Sequence, residues 1–355
     1  MRGMKKVLVW GLTNNRAGTE AVIVNYASNI DDVSFDFLCY EDPSVHWNKL
    51  DRNGNRYFVI PSKIKSPLAY WRAIGDFMKE HAREYDVLWF NVNDAANIDP
   101  LKYAVKYGIP KRIVHMHSSR VADAPLTRFF HGLNRKKLVE LATDLWACSD
   151  DAAAFLGGDG EVRIVANVID AGAVSFSEAK RRDIRSRLGL TDAHVIGFVG
   201  RLVALKQPEF LIELMPRLLQ ENPEVRLAIV GAGELEDGLV RLSDSLGVSD
   251  KVRLVGSQED MQGYLSAFDV YAQPSCFEGF GISILEAQMN GLACVVSDTV
   301  PNEVDVTDGI QHIPTTDVDG WIEALLRGDR TQVHRLSRAK RHDVAVLSET
   351  RESLF

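Results

Sequence analysis

The chain has 355 residues, of which 46% are hydrophobic and 25% are charged. This composition is typical of a folded globular protein, and the length favours two domains over a single hydrophobic core. The formal net charge of -8 argues against a dedicated nucleic-acid-binding protein, because such proteins usually carry a surplus of basic residues.

In the first half of the chain, short runs rich in Val, Ile and Phe alternate with longer patterns of helical period. This alternation predicts a parallel sheet with crossover helices. The predicted strands are 6–10, 34–39, 56–60, 87–91, 112–117 and 144–147. The predicted helices are 19–27, 67–84, 98–107 and 133–142.

The same alternation restarts after a polar, charged stretch at about 169–191. The predicted strands are 194–200, 225–231, 251–256, 269–274, 293–298 and 311–314, and the predicted helices are 208–220, 234–246, 260–267 and 282–290. Two such series predict two doubly wound, Rossmann-like α/β domains, at 1–168 and 169–340. Because α/β folds bind ligands at the carboxyl ends of their strands, we expect the site in a cleft that both sheets face.

The four cysteines, Cys39, Cys148, Cys276 and Cys294, are widely spaced and show no metal-binding pattern. This distribution is typical of reduced thiols in a cytoplasmic protein. The apolar run 7–12 is too short for a signal peptide, and no stretch approaches the roughly 20 apolar residues that span a bilayer. We therefore expect a cytoplasmic protein, peripheral at most at the inner face of the cell membrane.

The strongest local signal is PSCFEGFGISILEAQMNG at 274–291, where a strand, a glycine-containing loop and a helix follow one another. Gly279 and Gly281 allow close approach of the backbone to a ligand, and the N–H groups at a helix start favour phosphate oxygens. A tight structural turn is the alternative explanation, since such turns are common.

Two carboxylates sharpen this signal. Glu278 precedes the predicted helix, and Glu286 lies inside it on the flank of an apolar stripe formed by Ile282, Leu285 and Met289. A carboxylate beside a buried stripe needs a hydrogen-bonding partner. Ribose hydroxyls fit that need, and a salt bridge to a nearby Arg or Lys is the alternative.

The spacing of Glu278 and Glu286 within EGFGISILEAQMNG resembles the signature of retaining GT-B glycosyltransferases of family 4, which include bacterial capsule and exopolysaccharide enzymes. Further segments are similar to this family: AGTEAVIVNY, the pair His115 and His117, ACSDDAAAFL, GFVGRLVALKQPEFLI, LAIVGAGE and VRLVGSQEDM. The resemblance implies the GT-B fold and a final segment, 341–355, that crosses back to the first domain as a helix. The whole stretch 331–355 is expected to be helical.

The resemblance also implies an activity: transfer of a sugar, with retention, from a nucleoside-diphosphate sugar, UDP-sugar being favoured, to a glycan or lipid-linked saccharide in cell-surface polysaccharide synthesis. Two rival functions stay open. One is a non-catalytic sugar-nucleotide-binding subunit of a partner transferase, and the other is a sugar-nucleotide epimerase of the same fold. Non-catalytic subunits often lack the acidic pair or the basic pair. This chain keeps both the acidic pair, Glu278 and Glu286, and the basic pair, Arg201 and Lys206.

Arg201 and Lys206 follow a predicted strand that reaches Gly200, so both can point towards the site. Cations there would stabilise the negative charge that develops on a departing β-phosphate. The alternative is a pair of surface cations. The family often has glycine after this lysine, and this chain has Gln207 instead.

By resemblance, Glu286 binds the ribose hydroxyls and Glu278 lies near the donor sugar and the reacting centre. Main-chain groups of the loop and helix start hold the diphosphate or sugar, and a second main-chain segment lines the base pocket. The first set is Gly279, Phe280, Gly281, Ile282 and Ser283, and the second is Val255 and Gly256.

In the N-terminal half, the family usually has GG-x-E where this chain has Ala17-Gly18-Thr19-Glu20. Gly18 is the predicted diphosphate contact, and a Cβ at Ala17 is tolerated unless that position needs a positive φ. Thr19 also suits a plain helix N-cap.

His115 and His117 share one face at a strand end, because side chains alternate along a strand. By resemblance one of them contacts the donor sugar or the reacting centre, with His117 favoured and His115 in reserve. A metal-binding pair and a structural pair are the alternatives, although no third metal ligand lies nearby in sequence.

Two further motifs each have two interpretations. Asp317-Val318-Asp319 has the form of a metal-binding Asp-x-Asp motif, but its place at a predicted helix start favours a helix cap, so we expect no divalent metal and no other cofactor. The basic and aromatic stretch 128–137 suits either contact with an anionic membrane or an ordinary solvated helix end.

Overall fold

The computed structural model describes residues 4–15, 18–121, 124–157, 161–330, 337–348 and 355. The chain divides into two compact units. The first unit is Met1–Ile169 together with Arg341–Phe355, and the second is Asp170–Lys340. Each unit is built on its own parallel sheet.

The first unit contains a seven-stranded sheet in the order β3-β2-β1-β4-β5-β6-β7. Its central strands are buried on both faces, as expected of a parallel sheet covered by helices on each side. The strands are β1 Lys5–Trp10, β2 Val33–Cys39, β3 Arg56–Val59, β4 Val87–Val92, β5 Lys111–Met116, β6 Asp144–Ala147 and β7 Val162–Ile164.

The helices of the first unit are α1 Gly18–Asn29, α2 Ser44–Leu50, α3 Pro67–His81, α4 Asp99–Tyr107, α5 Pro125–Leu141 and α6 Asp150–Leu156. The short elements α2, α6 and β7 were not predicted. The predicted start of α5 at 133 was wrong, because the helix begins with Pro125 in its first turn. Proline suits that place because N–H groups in the first turn of a helix have no intrahelical acceptor, so no hydrogen bond is lost when proline lacks an N–H.

The second unit contains a six-stranded sheet in the order β10-β9-β8-β11-β12-β13. The strands are β8 His194–Val199, β9 Val225–Val230, β10 Val252–Gly256, β11 Val270–Gln273, β12 Ala293–Val296 and β13 Ile310–His312. The helices are α7 Ala171–Val174, α8 Glu178–Leu188, α9 Pro208–Glu221, α10 Glu236–Ser245, α11 Met261–Ala267, α12 Ile282–Met289 and α13 Val318–Arg327. The prediction of two doubly wound α/β folds is confirmed.

The charged stretch 169–191 is largely helical and contains α7 and α8. Arg181 and Arg185 of α8 each lie 2.5 Å from a carboxylate oxygen of Asp269, and Asp269 also accepts a hydrogen bond from a backbone N–H of β8. Two of the charged residues in this stretch therefore bind a carboxylate at the amino end of β11.

The C-terminal segment was predicted to be helical, and its described part is helical in short pieces. Residues Ser337–His342 and Val344–Ser348 form 3₁₀-helices, while 331–336 and 349–354 lie outside the described residues. The segment contacts the end of the first unit: His342 Nδ1 lies 2.7 Å from the carbonyl oxygen of Asn167, and Val344 N–H donates to the carbonyl of Ile169 at 3.0 Å.

Candidate functional site

The segments of the second unit that carry the predicted chemistry follow two neighbouring strands. β8 and β11 pair directly, and they stand where the strand order of the sheet reverses direction. Open parallel sheets bind ligands at the carboxyl ends of the strands at such a switch point. Arg201 and Lys206 follow β8, and Glu278 follows β11, so the sheet brings these two loops to one edge.

Lys206 and Glu278 form an ion pair. The Nζ of Lys206 lies 2.5 Å from Oε1 of Glu278, and the two side chains are 20% and 6% exposed. Lys206 ends the 3₁₀-helix Ala204–Lys206, which follows the β8 loop. Arg201 lies in the same loop with an exposed side chain. The structure thus joins Lys206 to Glu278 and leaves the Arg201 side chain at the surface of the second unit.

A chain of buried polar side chains extends from Glu278 into the sheet. Ser275 Oγ donates to Glu278 Oε1 at 2.7 Å, and Gln273 Nε2 donates to Ser275 Oγ at 2.7 Å. The Tyr271 hydroxyl lies 2.7 Å from Gln273 Oε1 and 3.0 Å from Ser283 Oγ. We call Tyr271, Gln273, Ser275, Glu278 and Ser283 the polar relay. It connects Glu278 to the first turn of α12.

The Tyr271 hydroxyl of the polar relay is held in its protonated form. Burial raises the pKa of Tyr271 well above its ordinary value, and the negative charges of Glu278 and Glu286 add to the shift. The tyrosine therefore stays protonated at neutral pH and can donate to Gln273. The sequence prediction missed Tyr271, Gln273 and Ser275, although polar residues at alternate positions of an apolar strand were a usable signal.

The glycine loop opens the N-terminus of α12. Gly281 takes the N-cap position with a φ of +90°, and no side chain caps the helix. A Cβ at Gly281 would lie 2.8 Å from Cδ1 of Ile284, so both the conformation and the space favour glycine. The first N–H groups of a helix have no intrahelical acceptor and attract anions. Of the remaining loop residues, Phe280 is buried and Gly279 is half-buried.

Glu286 lies half-buried in α12, four residues after Ile282. The prediction of one apolar stripe was too narrow, because Ile284, Ala287 and Gln288 are buried together with Leu285 and Met289. The helix is packed on most of its circumference, and Glu286 stands on the more accessible side, near enough to Tyr271 to affect its pKa.

Two glycines of the β9 loop pack against the loop that carries Arg201. A Cβ at Gly231 would lie 1.8 Å from the carbonyl oxygen of Gly200, and one at Gly233 would lie 2.3 Å from that of Leu202. Leu202 N–H also donates to the carbonyl of Ala232 at 3.0 Å. Only glycine permits this approach, so LAIVGAGE fixes the backbone on both sides of Arg201.

The predicted base-pocket residues lie at the end of the neighbouring strand, β10. The carbonyl of Val255 accepts a hydrogen bond from Gln258 Nε2 at 2.8 Å, and that of Gly256 accepts from Gly231 N–H at 2.9 Å. Gly256 has a φ of +74°. Both carbonyls therefore accept a hydrogen bond from within the unit.

Gln207 occupies a left-handed conformation, with φ and ψ both 46°. Side chains with a Cβ are disfavoured in this region, and glycine adopts it readily. This explains why glycine suits the position in the family that the chain resembles. Gln207 adopts this conformation at a modest cost in backbone energy.

In the first unit, His117 follows β5 and is buried. The ring Nε2 of His117 lies 2.8 Å from Oδ1 of Asn91 at the end of β4. The backbone N–H of His117 donates to the carbonyl of Val92 at 3.0 Å. Burial lowers the pKa of His117 to about 3. The ring is therefore neutral at pH 7, and with Nε2–H donating to Asn91 its Nδ1 is a hydrogen-bond acceptor.

His115 lies on the same face one layer deeper, and the two ring centroids are 4.0 Å apart. Its Nδ1 accepts from Trp89 Nε1 at 3.3 Å, while its buried Nε2 has no hydrogen-bond partner. Burial lowers the pKa of His115 well below its ordinary value, and His117 contributes to the shift. His117 stands nearer the carboxyl edge of the sheet than His115.

Because of these two histidines, we expect the folded first unit to lose stability as the pH falls. An unfolded histidine titrates near pH 6.5, so between that pH and about pH 3 the unfolded chain binds protons that the folded rings reject. Stability is fully present above pH 6.5 and falls as the pH drops through this window, by about 1.4 kcal/mol per pH unit for each ring that stays neutral in the folded state. Urea unfolding followed at several pH values should show this slope, and His117→Gln should reduce it. An unchanged slope in that variant would contradict the assignment.

Gly18 begins α1, and Glu20 in its first turn is buried. Thr13 Oγ1 donates to Glu20 Oε1 at 2.5 Å, so the acid of this motif connects the β1 loop to the helix. The Thr19 hydroxyl lies 3.4 Å from Asn93 Oδ1 instead of acting as a plain cap. The question of the φ at Ala17 falls outside the described residues.

Asp317 caps α13, as predicted: its Oδ1 accepts from Gly320 N–H at 3.0 Å, and Asp319 lies 2.6 Å from Arg217. Among the residues that the structure describes, no group of three or more His, Cys, Asp and Glu side chains could hold a metal ion. None of the described helices is both long and apolar enough to cross a bilayer.

Comparison with known proteins places this geometry in context. Residues 180–343, which include Lys206, Glu278 and Glu286, match the family described as "Glycosyl transferases group 1". The chain is 27% identical over 335 residues to the "Putative glycosyltransferase EpsF" of Bacillus subtilis (strain 168), a match that covers 88% of this chain and 85% of that protein.

Two further similarities differ in their extent. The "D-inositol 3-phosphate glycosyltransferase" of Actinosynnema mirum is 34% identical over 226 residues, so the match covers 58% of this chain and only 53% of that relative. The crystal structure of Anabaena Alr3699/HepE in complex with UDP and glucose aligns with a TM-score of 0.76, at 19% identity, over 99% of this chain and 100% of that one. At this identity the structural likeness concerns the fold, which is GT-B.

Proposed function

Because the chain is a glycosyltransferase that carries a group 1 domain of GT-B fold, we propose that it moves a sugar from UDP-sugar to a saccharide acceptor with retention of anomeric configuration. The observation that carries this proposal is the pairing of Lys206 with Glu278 at the switch point, beside the uncapped start of α12. The Anabaena protein bound to UDP supports the choice of base.

The proposed donor site assigns one task to each group. Lys206 and Arg201 stabilise the charge that develops on the β-phosphate, because cations held at that place bind the transition state more strongly than the ground state. The N–H groups from Phe280 to Ser283 bind the diphosphate or the sugar. Glu286 accepts hydrogen bonds from the ribose hydroxyls, and Glu278, fixed by Lys206 and Ser275, faces the donor sugar.

Main-chain groups near Val255 and Gly256 complete the proposed donor site at the base. In the first unit, Gly18 is the proposed contact to the diphosphate, and the neutral His117 is the proposed contact to the donor sugar or the reacting centre. A neutral imidazole suits a hydrogen bond to a sugar hydroxyl, and its low pKa excludes a charged role at pH 7.

For the chemistry we favour displacement on the same face of the sugar. The bond between the anomeric carbon and the β-phosphate oxygen breaks, and the acceptor oxygen bonds to that carbon from the same side. The acceptor proton passes to the departing phosphate oxygen, so no protein nucleophile is needed. The proposal includes no divalent metal, because the two cations of the β8 loop supply the positive charge. It places the acceptor in cell-surface polysaccharide synthesis, as a glycan or a lipid-linked saccharide at the inner face of the membrane.

The test combines binding with product analysis. UDP-sugars should raise the melting temperature more than GDP- or ADP-sugars do, since a ligand at 100 times its Kd stabilises by about 2.7 kcal/mol. Nucleotide release should require an acceptor, and NMR of the product should show the anomeric configuration of the donor. Release without transfer would favour an epimerase or hydrolase, and binding without any release would favour a non-catalytic subunit. Loss of activity with a chelator, restored by a divalent ion, would overturn the metal-free mechanism.

A further inference from the structure

The hydrogen bonds of the polar relay have a fixed direction, which its charged end determines. Glu278 is a carboxylate paired with the ammonium group of Lys206, so it offers acceptors and no proton. Ser275 Oγ lies 2.7 Å from Glu278 Oε1. The single hydroxyl proton of Ser275 must therefore point to Glu278, and the Ser275 oxygen is left to accept a hydrogen bond from the next member of the relay.

That next member is Gln273, which is fully buried. Its Nε2 lies 2.7 Å from Ser275 Oγ, and its Oε1 lies 2.7 Å from the Tyr271 hydroxyl. If the amide were reversed, Gln273 Oε1 would face the Ser275 oxygen, whose proton already points to Glu278, and two oxygens would be in contact without a proton between them. The amide of Gln273 therefore donates to Ser275 and accepts the proton of Tyr271.

The far end of the relay is the Ser283 hydroxyl in the first turn of α12. Ser283 Oγ lies 3.0 Å from the Tyr271 hydroxyl, and the carbonyl of Val199 lies farther from it, at 3.2 Å. Because the only hydroxyl proton of Tyr271 goes to Gln273, Ser283 must donate to Tyr271. The relay thus runs in one direction from Ser283 to Glu278, and each contact along it holds one proton.

The backbone of Ser275 is held independently of its hydroxyl. The Ser275 carbonyl accepts hydrogen bonds from the hydroxyls of Ser297 and Thr299, which follow β12, and the Thr299 contact is 2.7 Å long. The N–H of the next residue, Cys276, donates to the carbonyl of Leu205 in the β8 loop at 3.0 Å. Loss of the Ser275 hydroxyl should therefore leave the loop in place.

At Glu278, the protein contacts fall on one oxygen. Lys206 Nζ and Ser275 Oγ both donate to Oε1, at 2.5 and 2.7 Å. Among the residues that the structure describes, none donates to Oε2, and Oε2 is not fully buried. Two donors on one oxygen fix the rotation of the carboxylate, because a single donor would allow it to turn. Oε2 is therefore the oxygen that a ligand can reach.

We propose that Ser275 is a positioning residue, which holds Glu278 by Oε1 and presents Oε2 to a hydroxyl group of the donor sugar. Gln273 acts one step further back, because its amide directs the Ser275 proton to Glu278. A carboxylate only accepts, so it selects a group that donates, as a sugar hydroxyl does. The inference rests on the proposed function for the identity of the ligand, whereas the direction of the relay follows from the contacts alone.

The first test is Ser275→Ala. It should lower kcat/KM for the UDP-sugar that the wild type uses by about 10–100-fold, the size of one hydrogen bond to a charged group. The Kd for UDP should stay at its wild-type value, because UDP carries no donor sugar for Glu278 to contact. Steady-state nucleotide release and calorimetric titration with UDP measure the two quantities. Wild-type kcat/KM in Ser275→Ala, or equal losses of kcat/KM and UDP affinity, would overturn the proposal.

The second test, Gln273→Glu, makes the direction of the relay depend on pH. While the new carboxyl group is protonated it can donate to Ser275 and accept from Tyr271, as the amide does, so kcat/KM should stay near the wild-type value. Once ionised it cannot donate, and the Ser275 proton should turn to it and away from Glu278. The kcat/KM of this variant should therefore fall with rising pH relative to the wild type. This additional fall should be absent from the double variant Ser275→Ala/Gln273→Glu, in which no hydroxyl can turn.

Gln288→Glu is the matched control for the second test. Gln288 is a fully buried glutamine of the same unit, and its amide binds the backbone of Val304 and Thr307, outside the relay. This variant should lose stability in urea unfolding but show the wild-type pH profile of kcat/KM. The same additional fall with pH in Gln288→Glu, or in the double variant, would rule out the assigned role of the relay.

Failure of the proposed function would be recognised differently. A wild-type protein that releases no nucleotide from UDP-, GDP- or ADP-sugars in the presence of saccharide acceptors contradicts that function. Crystal structures without ligand then decide the positioning role. The Glu278 carboxylate should have one orientation in the wild type and more than one in Ser275→Ala, and a single unchanged orientation in both proteins would contradict the proposal.

Discussion

Lys206→Ala should lower kcat/KM for the donor by about 10²–10³-fold, which is the typical cost of removing one group that stabilises transition-state charge. Two effects combine. The ammonium at the departing phosphate is lost, and Glu278, which is 6% exposed, loses its ion-pair partner. The second effect should reduce the free energy of unfolding by about 1–2 kcal/mol, because Lys206 itself is only partly buried.

Lys180→Ala is the matched control for this prediction. Lys180 lies 2.6 Å from Asp260 in the same unit, but both side chains are about 40% exposed and far from the switch-point loops in sequence. Its removal should cost less than 1 kcal/mol of stability and leave kcat/KM unchanged. Steady-state kinetics with saturating acceptor and urea unfolding of both variants make the comparison. Equal losses of activity in Lys206→Ala and Lys180→Ala would contradict the assigned role.

The positions of Arg201, Lys206 and Glu278 in loops could be predicted from local sequence, because recognisable elements flank each loop. Apolar strands and a helix stop bracket 274–291, and β8 precedes Arg201 and Lys206 directly. The partnership of Lys206 with Glu278 could not be predicted in the same way. It depends on the pairing of β8 with β11, which brings together residues 72 positions apart.

The first unit was harder to predict, and α5 shows why. Pattern analysis treats apolar residues as core, and in Leu126, Phe129 and Phe130 the apolar residues face solvent instead. The real core contacts of the helix come from His131 and Leu138, which gives a weak periodic signal. Helices whose exposed face is apolar are misread by the rule that places apolar residues inside.

The contacts that the C-terminal segment makes could not be predicted from its local sequence. The ring of Phe355 is 5% exposed and lies among Phe35, Trp89 and Trp146, with ring centroids 5.6, 5.2 and 5.7 Å away. The backbone oxygen of Phe355 also accepts a hydrogen bond from Lys5 Nζ. These contacts join residues some 200–350 positions apart, so neither periodicity nor composition near residue 355 predicts them.

Phe355→Ala should therefore destabilise the first unit by about 3–5 kcal/mol, because it removes a large buried ring and leaves a cavity between two tryptophans. Urea unfolding followed by tryptophan fluorescence reports directly on this cluster, since Trp89 and Trp146 line it. Phe129→Ala is the matched control: the same substitution at a ring that is 60% exposed should change stability by less than about 0.5 kcal/mol. The difference between the two variants in free energy of unfolding measures how much the Phe355 ring stabilises the aromatic cluster. If both variants unfold at the wild-type urea concentration, Phe355 does not occupy that cluster in solution.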